Sequence, residues 1–258
     1  MTALRNIAAV VEKEWRHYFG SPIAYVTFFV WTLLSGVFFA LFFAQFTLAS
    51  QQASMGGRGL SLNEVIVERL LQNLSVIVLF IGPMMTMRLF AEEKRQGTIE
   101  LLSTAPLTDL QIVLGKFLGA LAFYTALLAA ALANFVFLFA YGDGGPDWRA
   151  VAAGCLGLFL FGVAFISLGL FISTLTSNQI IASILTFGAG LGFLLIAWTS
   201  YVWPSSVTDF LSYLGLLKHS EDFFRGIVDL KDVVYYLTFT LFALFLAHQS
   251  VESQRWRA

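Results

Sequence analysis

Long stretches without a single formal charge alternate with short polar connections along this chain. Uncharged, predominantly apolar runs cover residues 23–47, 70–87, 117–141, 151–173, 180–203 and 233–251. Each is near the length of about 20 residues that an α-helix needs to cross a bilayer. The run 70–87 includes Gln72 and Asn73 near its start and the pair Gly82-Pro83, which is expected to bend it. No charge separates Arg149 from Asp209, a distance too long for one crossing, and the polar residues Ser173, Thr174, Thr176, Ser177, Asn178 and Gln179 divide it in two. Helices satisfy their own backbone hydrogen bonds in lipid, so the pattern predicts an all-α polytopic membrane protein. It has six transmembrane helices in a single domain spanning residues 1–258.

Three segments do not read as spans. Within residues 1–20, Leu4, Ile7, Ala8, Val11, Trp15 and Tyr18 recur at helical spacing, with Arg5, Glu12, Lys13 and Arg16 on other positions. This predicts an amphipathic helix, either lying in the membrane interface or packed on a cytosolic partner, and its passage through Gly20-Ser21-Pro22 into a span favours the interface. In the loop 88–116 the spacing predicts a short helix broken at Gly97, then a helix capped by Thr98 that carries Ile99, Leu101 and Leu102 with Glu100 near its positive end. Pro106 stops it, and Thr108 with Gln111 forms a capping box for the next helix. Leu101 and Leu102 on such a helix either receive a docking partner or dip into the lipid interface. The segment 204–232 holds Phe210, Leu211, Tyr213, Leu214, Leu216 and Leu217, which predicts short helices packed on the outer face of the bundle. His219, Glu221 and Asp222 there read as a solvated turn or as a metal site.

Composition supports a membrane protein and narrows its function. Hydrophobic residues make up 58% of the 258 residues, charged residues 12%, and the mean hydropathy is +0.79, far from the averages of soluble domains. Basic residues cluster at Arg5, Lys13, Arg16, at Arg88, Lys94, Arg95, Lys116 and at Arg255, Arg257. They outweigh Arg58, Arg69, Arg149, Lys218, Arg225 and Lys231 on the other side. Cytoplasmic loops are enriched in Lys and Arg, so both termini are expected in the cytoplasm, in a bacterial inner membrane. The first 20 residues do not read as a cleavable signal, and Cys155, the only cysteine, is expected to be a packing residue.

A net charge of -1 without a basic face gives no reason to expect a nucleic-acid partner. The central spans contain no ionisable side chain of the kind ion-coupled pumps use. Asn134, Ser167, Thr186, Thr199 and His248 are mild by comparison; Asn134 reads as an interhelix bond or a substrate ligand, and His248 as an interfacial residue or a catalyst. No nucleophile, base or metal cluster suggests an intramembrane enzyme, and no G-x-x-x-x-G-K-[ST] supplies an ATP site. Catalytic and metal residues are therefore expected to be none, with energy for any transport coming from a partner.

The run Glu92, Glu93, Lys94, Arg95, Gly97, Thr98, Ile99, Glu100, Leu101, Leu102, Pro106, Gly115, Lys116 resembles the cytoplasmic signature of type-2 ATP-binding-cassette (ABC) permeases. The resemblance covers essentially the whole chain. It implies a permease subunit working with a separate ABC ATPase, which binds ATP and Mg, and with a second permease copy or related subunit. The loop helix would then be the ATPase-coupling element, with Glu92, Glu93, Arg95, Gly97, Thr98, Glu100, Leu101 and Leu102 as its residues. The stretches Tyr18-Phe19-x-Ser21-Pro22-Ile23-Ala24-Tyr25 and Glu221-Asp222-Phe223-x-Arg225-Gly226-Ile227-Val228-Asp229-x-x-Asp232-Val233-x-Tyr235 are similar to the branch serving gliding motility and copper-enzyme maturation. That branch adds an extracytoplasmic accessory protein in some members.

The expected mechanism is alternating access in an exporter, with Phe223, Phe224 and Arg225 as outer gate candidates. Spans rich in Phe and Leu would suit apolar or polymeric cargo better than a small ion. An alternative is a membrane anchor that passes ATPase-driven motion to an extracytoplasmic partner without moving cargo.

Overall fold

The computed structural model describes residues 2–56, 61–98, 107–141, 145–202 and 212–255, among which there is no strand. In chain order the helices are α1 (Thr2–Phe19), α2 (Pro22–Gly56), a π-helical segment (Asn63–Glu68) running into α3 (Arg69–Thr86), and α4 (Ala91–Gln96). They continue with α5 (Asp109–Tyr141), α6 (Trp148–Leu175), α7 (Gln179–Val202), α8 (Lys218–Phe224) and α9 (Leu230–Arg255). Among the described residues six stretches are long and apolar enough to cross a membrane: those of α2, α3, α5, α6, α7 and α9.

α3 and α6 form the centre. Of their most apolar windows 72% is buried, against 17% for α2 and α7. α6 packs on α3, α9, α8, α7 and α5, while α1 lies along α5. The outer helices turn Phe29, Leu33 and Leu41 of α2 and Ile180, Ile184 and Leu195 of α7 away from the bundle. Apolar surface of that extent is untenable in water and ordinary in lipid, where helix association rests on close packing and interhelix hydrogen bonds.

Such bonds are present. Trp31 Nε1 donates to Leu127 O at 2.6 Å, joining α2 to α5, and Asn134 Nδ2 donates to Ser35 Oγ at 2.6 Å between the same two helices. Tyr124 OH donates to Leu158 O at 2.7 Å between α5 and α6. Each contributes about 0.6–2 kcal/mol by membrane precedent. Asn134 is thus engaged with a neighbouring helix, as one of its two sequence readings expected.

Polar contacts collect at the two ends. At one end α1, α4, the start of α5 and the end of α6 meet, and Ser250 Oγ near the end of α9 reaches Thr174 O at 3.5 Å. At the other end lie the π-helical segment, α8 and the start of α9; Arg225 meets Glu68 and Tyr236 OH donates to Leu216 O at 2.7 Å. α1 and the end of α9 therefore share one end of the bundle.

Candidate functional site

The site is assembled where α1 crosses the start of α5. Val10, Glu14 and Tyr18, successive turns of one helical face, are buried there. α5 answers with Gly115 and Gly119, one turn apart. A Cβ at Gly115 would stand 2.5 Å from Val10 Cβ, and one at Gly119 would stand 2.6 Å from Glu14 Cβ, so only glycine permits this approach. Leu4, Ala8 and Trp15 of the apolar stripe remain exposed. The buried face therefore overlaps the stripe that apolar spacing picks out only in part: Tyr18 belongs to both and Ile7 and Val11 are half-buried, but its centre is Val10 and the carboxylate Glu14.

That carboxylate is compensated. Lys116 Nζ lies 2.7 Å from Glu14 Oε1 and 2.9 Å from Glu93 Oε1, with its side chain only 2% exposed. Lys13 Nζ approaches the same Glu93 oxygen at 2.7 Å from the solvent side. The Lys116 ammonium also stands 5.2 Å from the centre of the Phe90 ring, close enough for a cation–π attraction. Glu93 Oε2 is buried and has no hydrogen-bond partner among the described residues. One lysine thus ties α1, α4 and α5 together.

A second set of bonds braces the corner between α1 and α2. Arg88 donates through Nε to Glu92 Oε2 at 3.0 Å and through Nη1 to Ser21 Oγ at 2.8 Å, and its Nη2 is 3.0 Å from His17 Nε2. Tyr18 OH donates to Met85 O at 2.7 Å, with its ring stacked on Phe123 at 4.8 Å. Burial, with the Glu14 carboxylate adding to it, pushes this phenol far above its ordinary range, so it stays a donor. These groups line a half-open cleft of about 360 Å³ between α1, α4 and α5.

α4 is held at both ends. Ser173 Oγ of α6 accepts from Phe90 N at 3.0 Å and from Ala91 N at 3.1 Å, capping α4 from another helix, and donates to Met87 O. Lys94 Nζ donates to Thr174 O. Gly97, at φ 69°, closes α4 in a left-handed turn in which Thr98 N bonds Glu93 O at 3.0 Å and Gly97 N bonds Lys94 O at 3.3 Å. Beyond it, Thr108 and Gln111 bond each other reciprocally at 3.3 Å in the expected capping box, and Asn6 of α1 joins Gln111 at 3.2 Å.

The coupling residues expected from sequence are partly brought together here. Glu92 and Glu93 belong to the ion-paired cleft; Arg95 and Gly97 are exposed on α4, and Thr98 is half-buried with Oγ1 near Glu93 O. Glu100, Leu101 and Leu102 lie outside the described residues. The sequence reading placed none of Lys116, Glu14 and Ser173 in the site. Lys116 stood with Gly115 at the end of the signature run and Ser173 in the polar break between spans, but neither was counted among the coupling residues.

Phe223, Phe224 and Arg225 are at the opposite end. Phe223 is fully buried against Gly157 of α6, where a Cβ would overlap it, and Phe224 is buried beside it. Arg225 Nε is exposed and 3.5 Å from Glu68 Oε1. His219 is buried rather than solvated, with its ring nitrogens facing Asp232 and Tyr213 O. Among the described residues no three His, Cys, Asp or Glu side chains converge on a common point.

A bundle of six apolar helices with its charge confined to the two ends defines a multi-pass membrane protein. Residues 63–218, more than half of the chain, match the family described as ABC-2 family transporter protein. The chain belongs to that family, whose members are the membrane permeases of ABC transporters and carry no catalytic centre of their own. Among curated proteins no significant match is found.

Proposed function

We propose that this chain is the permease subunit of an ABC exporter and that the platform of α1, α4 and α5 is the seat of a separate ATPase, which binds the ATP and Mg. The observation carrying this reading is the Lys116 network. Through Glu93 it fastens α4 to α1 and α5, and Ser173 fastens α4 to α6. A push on α4 cannot be absorbed locally; it passes to helices that reach the centre of the bundle. Arg95 and the residues from Glu100 to Leu102 supply the polar and apolar contacts for the partner.

The platform end carries Arg5, Lys13, Arg16, Arg88, Lys94, Arg95 and Lys116, which supports placing it, and both termini, on the cytoplasmic side of a bacterial inner membrane. The exposed apolar faces of α2 and α7 support pairing with lipid and with a second permease copy or related subunit. Cargo leaves by alternating access as two ATPases close on two platforms. Similarity in the segments around Tyr18 and Glu221 supports the gliding-motility and copper-enzyme branch, with an extracytoplasmic accessory protein meeting the opposite end.

The test is purification of the tagged chain in mild detergent, as wild type and as the variant Glu100→Arg with Leu101→Asp. Recovery of an ATP-hydrolysing partner with the wild type and its loss from the variant is the expected result. A chain that purifies alone, or a partner indifferent to the substitutions, contradicts the assignment.

A further inference from the structure

Near its middle α5 touches α6 closely. Tyr124 OH donates to Leu158 O at 2.7 Å, and Gly162 gives the Tyr124 ring its space, because a Cβ there would overlap it. From this contact toward the end opposite the platform, the two helices leave a half-open groove of about 330 Å³ between them. Leu132 and Phe135 of α5 form one wall, Leu156 and Phe159 of α6 the other, and the buried Leu71 and Leu74 of α3 the floor. Among the described residues its polar side chains are two. Thr125 spends its hydroxyl on Leu121 O at 2.8 Å, and Cys155 is half-buried.

All three helices are spans, and Leu132 and Leu156 are each 40% exposed at the rim. The groove therefore opens to the bilayer, where no water competes for it and its occupant must be apolar. Its volume is about twice the roughly 150 Å³ that holds a benzene ring in an apolar protein cavity, which leaves room for roughly a dozen chain carbons.

Followed outward, the same side of α6 turns polar. One turn beyond Leu156 lies the exposed Ala152, and a further turn on are Trp148 and Arg149, both exposed. The Arg149 guanidinium stands 5.7 Å from the centre of the Trp148 ring, and no ion pair ties it to a carboxylate among the described residues. The neighbouring Asp147 carboxylate is turned to the backbone, where it accepts from Arg149 N at 2.9 Å. From Arg149 to Phe159 the helix rises about 15 Å, half the hydrocarbon thickness of a bilayer. An indole and a guanidinium at that distance above an apolar groove stand at headgroup level, where tryptophan is enriched and arginine matches a phosphate.

We propose that this groove binds one phospholipid. An acyl chain lies between α5 and α6 over Leu71 and Leu74, and the phosphate meets the Arg149 guanidinium beside Trp148. The site depends neither on which end faces the cytoplasm nor on where the ATPase sits. A chain enclosed by three helices makes more contacts than one lying against a single helix, so this lipid exchanges more slowly than its neighbours.

A phospholipid carrying a photoactivatable diazirine in its acyl chain, doped into nanodiscs that hold the purified protein, tests the groove. Cross-links mapped by mass spectrometry should concentrate in residues 125–135 and 155–159. Leu132→Trp, which fills the rim, should remove most of them, whereas Leu241→Trp on the exposed side of α9 should leave them unchanged. Native mass spectrometry of the delipidated protein tests the headgroup. Palmitoyl-oleoyl phosphatidylglycerol should bind about tenfold more tightly than the diacylglycerol with the same chains, the worth of one hydrogen bond to a charged group, and Arg149→Gln should erase that difference. Leu132 and Arg149 are both at the surface, so neither substitution disturbs the interior. Cross-links spread evenly over the exposed sides of α2, α7 and α9, equal binding of the two lipids, or a preference that survives Arg149→Gln overturns the proposal.

Discussion

Lys116 holds its ammonium out of water between two carboxylates, with an aromatic ring 5.2 Å away. Breaking a buried ion pair from one side leaves an uncompensated charge, so Lys116→Met should destabilise the chain by about 3–5 kcal/mol, seen as a lowered melting temperature in detergent. Adding Glu14→Gln to Lys116→Met should recover part of the loss, because Lys13 still faces Glu93. A single variant as stable as wild type would mean that the pair is not formed. Ser173 carries a different burden: it accepts two backbone N–H groups that open α4. Ser173→Ala should cost about 1–3 kcal/mol and speed exchange at Phe90 and Ala91 more than elsewhere.

At the scale of elements, a helix as short as α4, six residues from Ala91 to Gln96, has no stability of its own. It exists because Ser173 caps its start, Gly97 closes its end and Lys94 and Glu93 tie its sides. α1 depends on glycine in the same way. Gly119→Leu should push α1 from α5, seen as faster tryptic cleavage after Lys13 and Arg16; unchanged cleavage would contradict the close approach at Glu14. The spans were legible because uncharged runs near bilayer length have few other uses, and the break in the long apolar run because polar side chains there can bond the chain ends, although the helix continues past Ser173 to Leu175 before it ends. The capping box at Thr108 was legible because its chemistry is local. The buried face of α1 was not, because Val10, Glu14 and Tyr18 mix apolar and charged residues. Only the partner on α5 makes Glu14 an interior residue. Ser173 capping α4 from 82 residues away is likewise invisible to any local pattern.

Across the whole molecule, two polar ends are separated by an apolar bundle whose centre is α3 and α6. Arg95 and Arg225 lie at opposite ends of the bundle, and the proposed orientation puts the first inside and the second outside. Cysteines placed at these two exposed positions should react with an impermeant thiol reagent only from inside and only from outside, respectively; labelling of both from one side would refute the topology. The central claim is that the α1–α4–α5 platform receives the ATPase and that the outer end does not. Hydrogen exchange of the chain, alone and in complex with its co-purified ATPase, tests it most directly. Protection confined to α1, α4 and the start of α5 is the result this account predicts; protection at α8 and the start of α9, or none at either end, would contradict it.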